Sequence, residues 1–111
     1  MTSVLPPVHP GEILREEYLL PLGMSAGALA KKLQVPRTRI ERLATEQASV
    51  TPDTALRLAK FFKTSPQFWM SMQASYDLKI EAAHLKDALE TIPEIDVAAA
   101  QLRRISEAAS S

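Results

Sequence analysis

The residues with the clearest chemical potential in this chain are arginines. Arg37, Arg39 and Arg42 fall close together, with Thr38 between the first two. A guanidinium is a planar fork of donors that can bond O6 and N7 of a guanine together, for about 1–3 kcal/mol of discrimination per good contact. A threonine can hydrogen-bond a base or meet a thymine methyl. Other chemistry is poorly served. His9 and His84 are the only histidines, and neither has a carboxylate or a second histidine at ligand spacing, so neither a metal nor a catalytic site is expected. The chain has no cysteine, which excludes disulfides, thiolate ligands and cysteine nucleophiles. Its 3 glycines form no phosphate-cradling loop and no nucleophile–base pair is apparent, so no enzyme activity and no cofactor are expected.

Charge is distributed in the same sense. The 111 residues sum to a net charge of zero, yet residues 25–63 carry eight bases against three acids, a balance of +5. Residues 1–24 balance at −2 and residues 77–111 at −3. The middle third can therefore form a local positive face on a neutral protein. No apolar run approaches the roughly 20 residues of a membrane span. The first ten residues lack a signal-peptide pattern, which makes the cytoplasm the expected compartment.

Helices must position these arginines. With 46% hydrophobic residues and no convincing strand alternation, the chain reads as all-α. A first helix is predicted over 10–20, with Ile13, Leu14, Tyr18 and Leu20 inward and Pro21 and Gly23 ending it. Ser25 is a good N-cap for a second helix to about Leu33, with Met24 and Leu29 placed as a hydrophobic staple. Gln34-Val35-Pro36 is the turn, and a third helix follows from Arg37 to about Thr45. Thr51-Pro52 and Ser65-Pro66 open a fourth and a fifth, the latter reaching about Leu89 with Phe68, Trp69, Met72, Tyr76 and Ile80 on one stripe. That stripe suits the core or a dimer contact.

The second and third helices with their tight turn form a helix-turn-helix, whose second helix enters the major groove. Ala30 is the small residue needed where the helices cross, and Val35, Ile40 and Leu43 are the apolar residues needed beyond it. The glycine usual at the turn is replaced by Gln34, which would have to accept a positive φ. With Ile40, Leu43 and Ala44 inward, Thr38, Arg42 and Thr45 point most directly outward, flanked by Arg39 and Glu41, with Arg37 at the N-terminal end. Glu41 would face a cytosine amine or pair with a neighbouring arginine.

At this level of detail the chain resembles the HigA-type antitoxins, within the phage-repressor-like helix-turn-helix proteins. The resemblance is carried by His9-Pro-Gly-Glu-Ile-Leu-Arg-Glu-Glu-Tyr18, Ala28-Leu-Ala-Lys-Lys-Leu33, Thr51-Pro-Asp-Thr-Ala-Leu-Arg-Leu-Ala59 and Thr64-Ser-Pro-Gln-Phe-Trp-Met70, in order over about residues 9–80. It implies a five-helix DNA-binding domain, a homodimer on a palindromic operator in its own promoter, and a RelE-like mRNA endonuclease toxin that it neutralises. By that pattern Arg37, Thr38 and Arg42 contact bases, with Arg39 beside them. The sequence departs from the family at Ala26, where relatives often have glutamine, at Pro36 in place of a capping serine, and at Thr45-Glu46-Gln47-Ala48, where Asn-Gly is common. A stand-alone repressor without a toxin, and a protein-interaction module with weakened DNA binding, are the alternative readings.

The chain thus divides on paper into a helix-turn-helix domain, 1–90, and an amphipathic helical extension, 91–111. In the extension Ile95, Ala98, Leu102 and Ile105 share one side, and the segment is too short to be stable alone. It is expected to pack on the domain, on a second copy or on the toxin. The N-terminal arm, Thr2 to Val8, could order on binding.

Overall fold

The computed structural model describes residues 7–110; most of the N-terminal arm, and Ser111, lie outside the described residues. All regular structure there is helical. Helix α1 is Pro10–Ile13, a π-helical segment Leu14–Leu19 continues it, and α2 is Leu20–Leu22. Helices α3, Ala26–Leu33, and α4, Arg37–Ala44, form the helix-turn-helix pair. Helices α5, Pro52–Phe62, and α6, Pro66–His84, pack against each other beneath it. Two further helices, α7, Lys86–Glu90, and α8, Val97–Ser110, complete the chain.

Caps set the boundaries. The side chains of Ser25, Thr51 and Ser65 accept the amides of Ala28, Thr54 and Phe68, and Pro52 and Pro66 follow the latter two at the first helical position. His9 caps α1: its Nδ1 accepts the Gly11 amide at 2.9 Å, and its ring lies edge-on to Tyr76 with centroids 4.8 Å apart. Gln34, Glu46 and Lys63 close helices with φ of 62°, 64° and 59°, the left-handed conformation that glycine takes most cheaply.

The N-terminal helix differs from the reading by periodicity. Leu20, expected inward, is 65% exposed, and Leu19 is buried in its place. The Leu20 amide bonds the carbonyl of Arg15, five residues back, so the helix widens there and the inward position moves by one residue. Pro21, expected to help end the helix, lies instead inside its last turn, directly after the i→i−5 bond of Leu20. Gly23, at φ 61°, ends the helix as expected. Ile13 is only half-buried. The fifth helix stops at His84, short of Leu89, and the last helix starts at Val97 and runs to Ser110.

The core gathers Leu14, Leu29, Leu33, Ile40, Leu43, Val50, Ala55, Leu58 and Trp69. Trp69 is fully buried, and its indole N–H donates to Thr64 Oγ1 at 2.9 Å, which avoids an unpaired buried donor. Tyr18 packs on Trp69 and on Phe62, with ring centroids 5.3 and 4.6 Å apart. Of the α6 stripe only Trp69 is fully in the core; Met72 packs partly against it, Tyr76 and Ile80 are half-buried, and Phe68 is 39% exposed. Gln73 of the same helix is buried: Oε1 accepts the Val50 amide at 2.7 Å and Nε2 donates to Asp77 at 2.9 Å, so it ties the α4–α5 loop to α6.

Gly11 makes the closest approach. A Cβ built on it would lie 1.8 Å from the Leu43 carbonyl oxygen, so α1 rests directly on the last turn of α4. Gly11→Ala must push these backbones apart, and is expected to lower stability by about 1–3 kcal/mol. Gly27→Ala, which meets only the flexible stem of Arg37 and gains helix propensity, should be neutral or stabilising. Urea denaturation of both variants checks this; an unchanged midpoint for Gly11→Ala would remove the close approach as a determinant of stability.

Candidate nucleic-acid interface

The turn between α3 and α4 is held from both sides. Gln34 takes φ 62° and ψ 45°, and the Val35 amide returns to the Ala30 carbonyl at 3.0 Å. Beyond the turn, Arg57 of α5 donates from Nη1 to the Leu33 carbonyl at 2.8 Å, satisfying an acceptor at the end of α3. Val35 then packs against the core that contains Ile40, the two placed as a staple about the start of α4. Pro36 offers no side-chain cap, so the first turn of α4 is held only by its own backbone and its packing.

Of α4, Ile40, Leu43 and Ala44 are buried and Arg37, Thr38, Arg39 and Arg42 are exposed. Those four form one continuous surface but differ in their company. Thr38 and Arg42 stand at the centre of the outward face, and Arg42 makes no salt bridge among the described residues. Arg37 sits on the flank towards α3: its Nε pairs with Glu41 at 3.0 Å, and its stem crosses the space left by Gly27. Glu41 therefore has an arginine partner, one of the two roles open to it from sequence. Arg39 sits on the opposite flank, with Nη1 2.7 Å from Asp53 Oδ1. Thr45, expected outward, is exposed, but its hydroxyl donates back to the Glu41 carbonyl at 2.8 Å. Thr38, Arg39 and Arg42 line a shallow groove with Ser49 and Thr51 from the α4–α5 loop and the start of α5.

Three residues that support this face were not singled out by sequence reasoning. Asp53 Oδ1 accepts both Arg39 and Arg57, at 2.7 and 2.8 Å, and so connects the recognition face to the clamp on the turn. Hydrogen bonding from Arg57 first, and then from Arg39, holds the Asp53 carboxyl below its usual value of 3.8. Arg15 donates to the Ala44 carbonyl at the end of α4, and also pairs with Glu46 at 3.3 Å and Glu16 at 3.2 Å. The i,i+4 spacing of Asp53 and Arg57 was a usable signal; the contacts of Arg15 with residues 29 and 31 positions away were not. Neither histidine lies on the α4 face, and the described residues contain no group of three or more His, Cys, Asp or Glu suited to a metal ion. No helix among them is long and apolar enough to cross a membrane.

Fold and face together define a helix-turn-helix DNA-binding domain. The helix-turn-helix family model matches residues 14–69. Virulence-associated protein I of Dichelobacter nodosus is 55% identical over 76 residues, 68% of this chain and 70% of that protein. A HigA-family addiction module antidote protein from Coxiella burnetii superposes with a TM-score of 0.78 at 42% identity, over 82% of this chain and 100% of that one. Antitoxin HigA of Pseudomonas aeruginosa, solved with the higBA promoter, gives 0.76 at 40% identity, over 79% and 96%. The chain belongs to the helix-turn-helix family and, within it, to the HigA-type antitoxins.

The Asp53 junction carries a pH dependence whose sign follows from its lowered pKa. A carboxyl that binds its proton less readily when folded adds stability above its ordinary value of 3.8, and loses it as pH falls through the folded value. Asp53→Asn should therefore shift the urea midpoint down at neutral pH. That difference from the unaltered chain should shrink as both are titrated to strongly acidic pH. A constant difference at every pH would show that the carboxylate charge is not what holds Arg39 and Arg57.

Proposed function

We propose that the chain represses its own operon as a homodimer on a palindromic operator, and that it neutralises a RelE-like mRNA endonuclease toxin. The observation that carries the DNA half of this reading is the centre of α4, where Arg42 stands exposed beside Thr38 with no salt-bridge partner among the described residues. In this reading Arg42 and Thr38 meet base edges in the major groove. Arg37 and Arg39, held on the flanks by Glu41 and Asp53, turn to phosphates. Their exposed ion pairs are each worth about 0–1 kcal/mol, so phosphate can displace the carboxylates at little expense. A homodimer places two such helices on half-sites about one helical turn apart. The relative from Pseudomonas aeruginosa solved with its promoter supports the DNA role, and the antidote relative from Coxiella burnetii supports the antitoxin role. A protein acting on operator DNA and on an mRNA endonuclease works in the cytoplasm.

Binding to a labelled fragment of the chain's own upstream DNA, beside a scrambled fragment and across a salt series, tests the repressor half. Arg42→Ala should lose about 1–3 kcal/mol of preference for the true fragment. Arg39→Ala should weaken both fragments alike and make the salt slope shallower by about one. Equal, weak binding of the unaltered protein to both fragments would overturn this half. Relief of growth inhibition on co-expression with the neighbouring toxin gene tests the other half, and failure to relieve it would leave a stand-alone repressor.

A further inference from the structure

The chain exposes two apolar seams of similar length. The first runs along α6 and α7 through Leu78, Ala82, Leu85 and Leu89, in steps of four, three and four residues, the spacing of one side of a coiled-coil helix. Leu85, at φ −96° and ψ 6°, ends α6, and α7 follows directly, the junction spanned by bonds from the Leu85 amide to the Glu81 carbonyl and from the Leu89 amide to the Leu85 carbonyl, both at 2.8 Å. Leu78 is 70% exposed, and every residue from 81 to 96 is exposed. The second seam runs along α8 through Ala98, Leu102, Ile105 and Ala109 at the same spacing, with Leu102 67% exposed. Each extends about 16 Å at the helical rise of about 1.5 Å per residue.

We infer that α8 of one copy docks on the α6–α7 seam of a second copy, and reciprocally, so that the C-terminal extension is the clasp of the homodimer. This rests on the homodimer reading above and adds to it the surface and the partner. Charge favours the match: residues 77–96 carry six acids against Lys79 and Lys86, a balance of −4, whereas α8 carries Arg103 and Arg104 against Glu107, a balance of +1. Shape favours it as well, since the alanines of α8 let the helix axes approach closely. An alanine-rich helix of 14 residues is marginal in water and needs a cover for its apolar side. Within one chain both seams stay open, whereas a two-fold pair makes the contact twice and covers all four seams.

The absence of cysteine permits a direct test. Leu89→Cys and Leu102→Cys, made in separate full-length chains and mixed under mild oxidation, should give a cross-linked heterodimer. Sedimentation should find a dimer for the unaltered chain, with its dissociation constant raised about a hundredfold or more in Leu102→Asp/Ile105→Asp, while the helical content of residues 7–90 is retained. A variant as dimeric as the unaltered chain would overturn the inference but leave the homodimer standing, with α8 free for the toxin. A monomer at every concentration would overturn both. A chain carrying both cysteines that cross-links within itself as a monomer would show α8 folding back on its own α6–α7 seam, which also overturns it.

Discussion

The carboxyl-terminal turn of α4 is where the architecture is most tightly constrained. An eight-residue helix does not hold its shape alone, so its direction is whatever its neighbours impose. Gly11 brings α1 onto the Leu43 carbonyl, and Arg15 reaches the Ala44 carbonyl from the same element. The widened π turn keeps Leu14 and Leu19 both in the core while Arg15 stays beside α4. At the other end, the Gln34 turn and the Arg57 bond to Leu33 fix where α4 begins. The outward placement of Thr38 and Arg42 is the product of these two anchors rather than of any contact those residues make themselves.

Electrostatics follow from that frame. A chain of zero net charge has little long-range pull on a polyanion, so its local arrangement matters. Glu41 and Asp53 keep two flanking arginines in place, and Arg42 between them has no salt bridge among the described residues. Since exposed pairs are weak, the carboxylates order the guanidinium groups without withholding them. Asp53 carries the heavier duty, because Arg57 uses the same carboxylate oxygen while its Nη1 clamps the preceding turn.

Much of this was legible in the sequence. Ser25, Thr51 and Ser65 announced helix starts because capping is local chemistry, and the apolar residues at 29, 33, 40 and 43 announced the crossing because helical period is local geometry. The left-handed Gln34 was legible too, since the tight turn demands it whatever residue stands there. Long-range facts were not. Gly11 reads as an ordinary helical glycine until Leu43 is placed against it. Gln73 reads as a polar residue on a helix, not as the buried group that bonds the Val50 amide. The exchange of Leu20 for Leu19 lay beyond periodicity, which assumes an unbroken 3.6-residue turn. The flanking roles of Arg37 and Arg39 depended on partners in α4 and α5 that spacing alone did not rank.

The chain contains a single tryptophan, and the fold sets it at the centre of the core, hydrogen-bonded to Thr64 and walled by Tyr18, Phe62 and Phe68. It belongs to α6, while the groove-facing side chains belong to α4. The protein thus carries its own optical gauge of integrity: the indole's emission follows the opening of the core, and the surface offered to a nucleic acid contributes no second fluorophore of that kind to blur the signal.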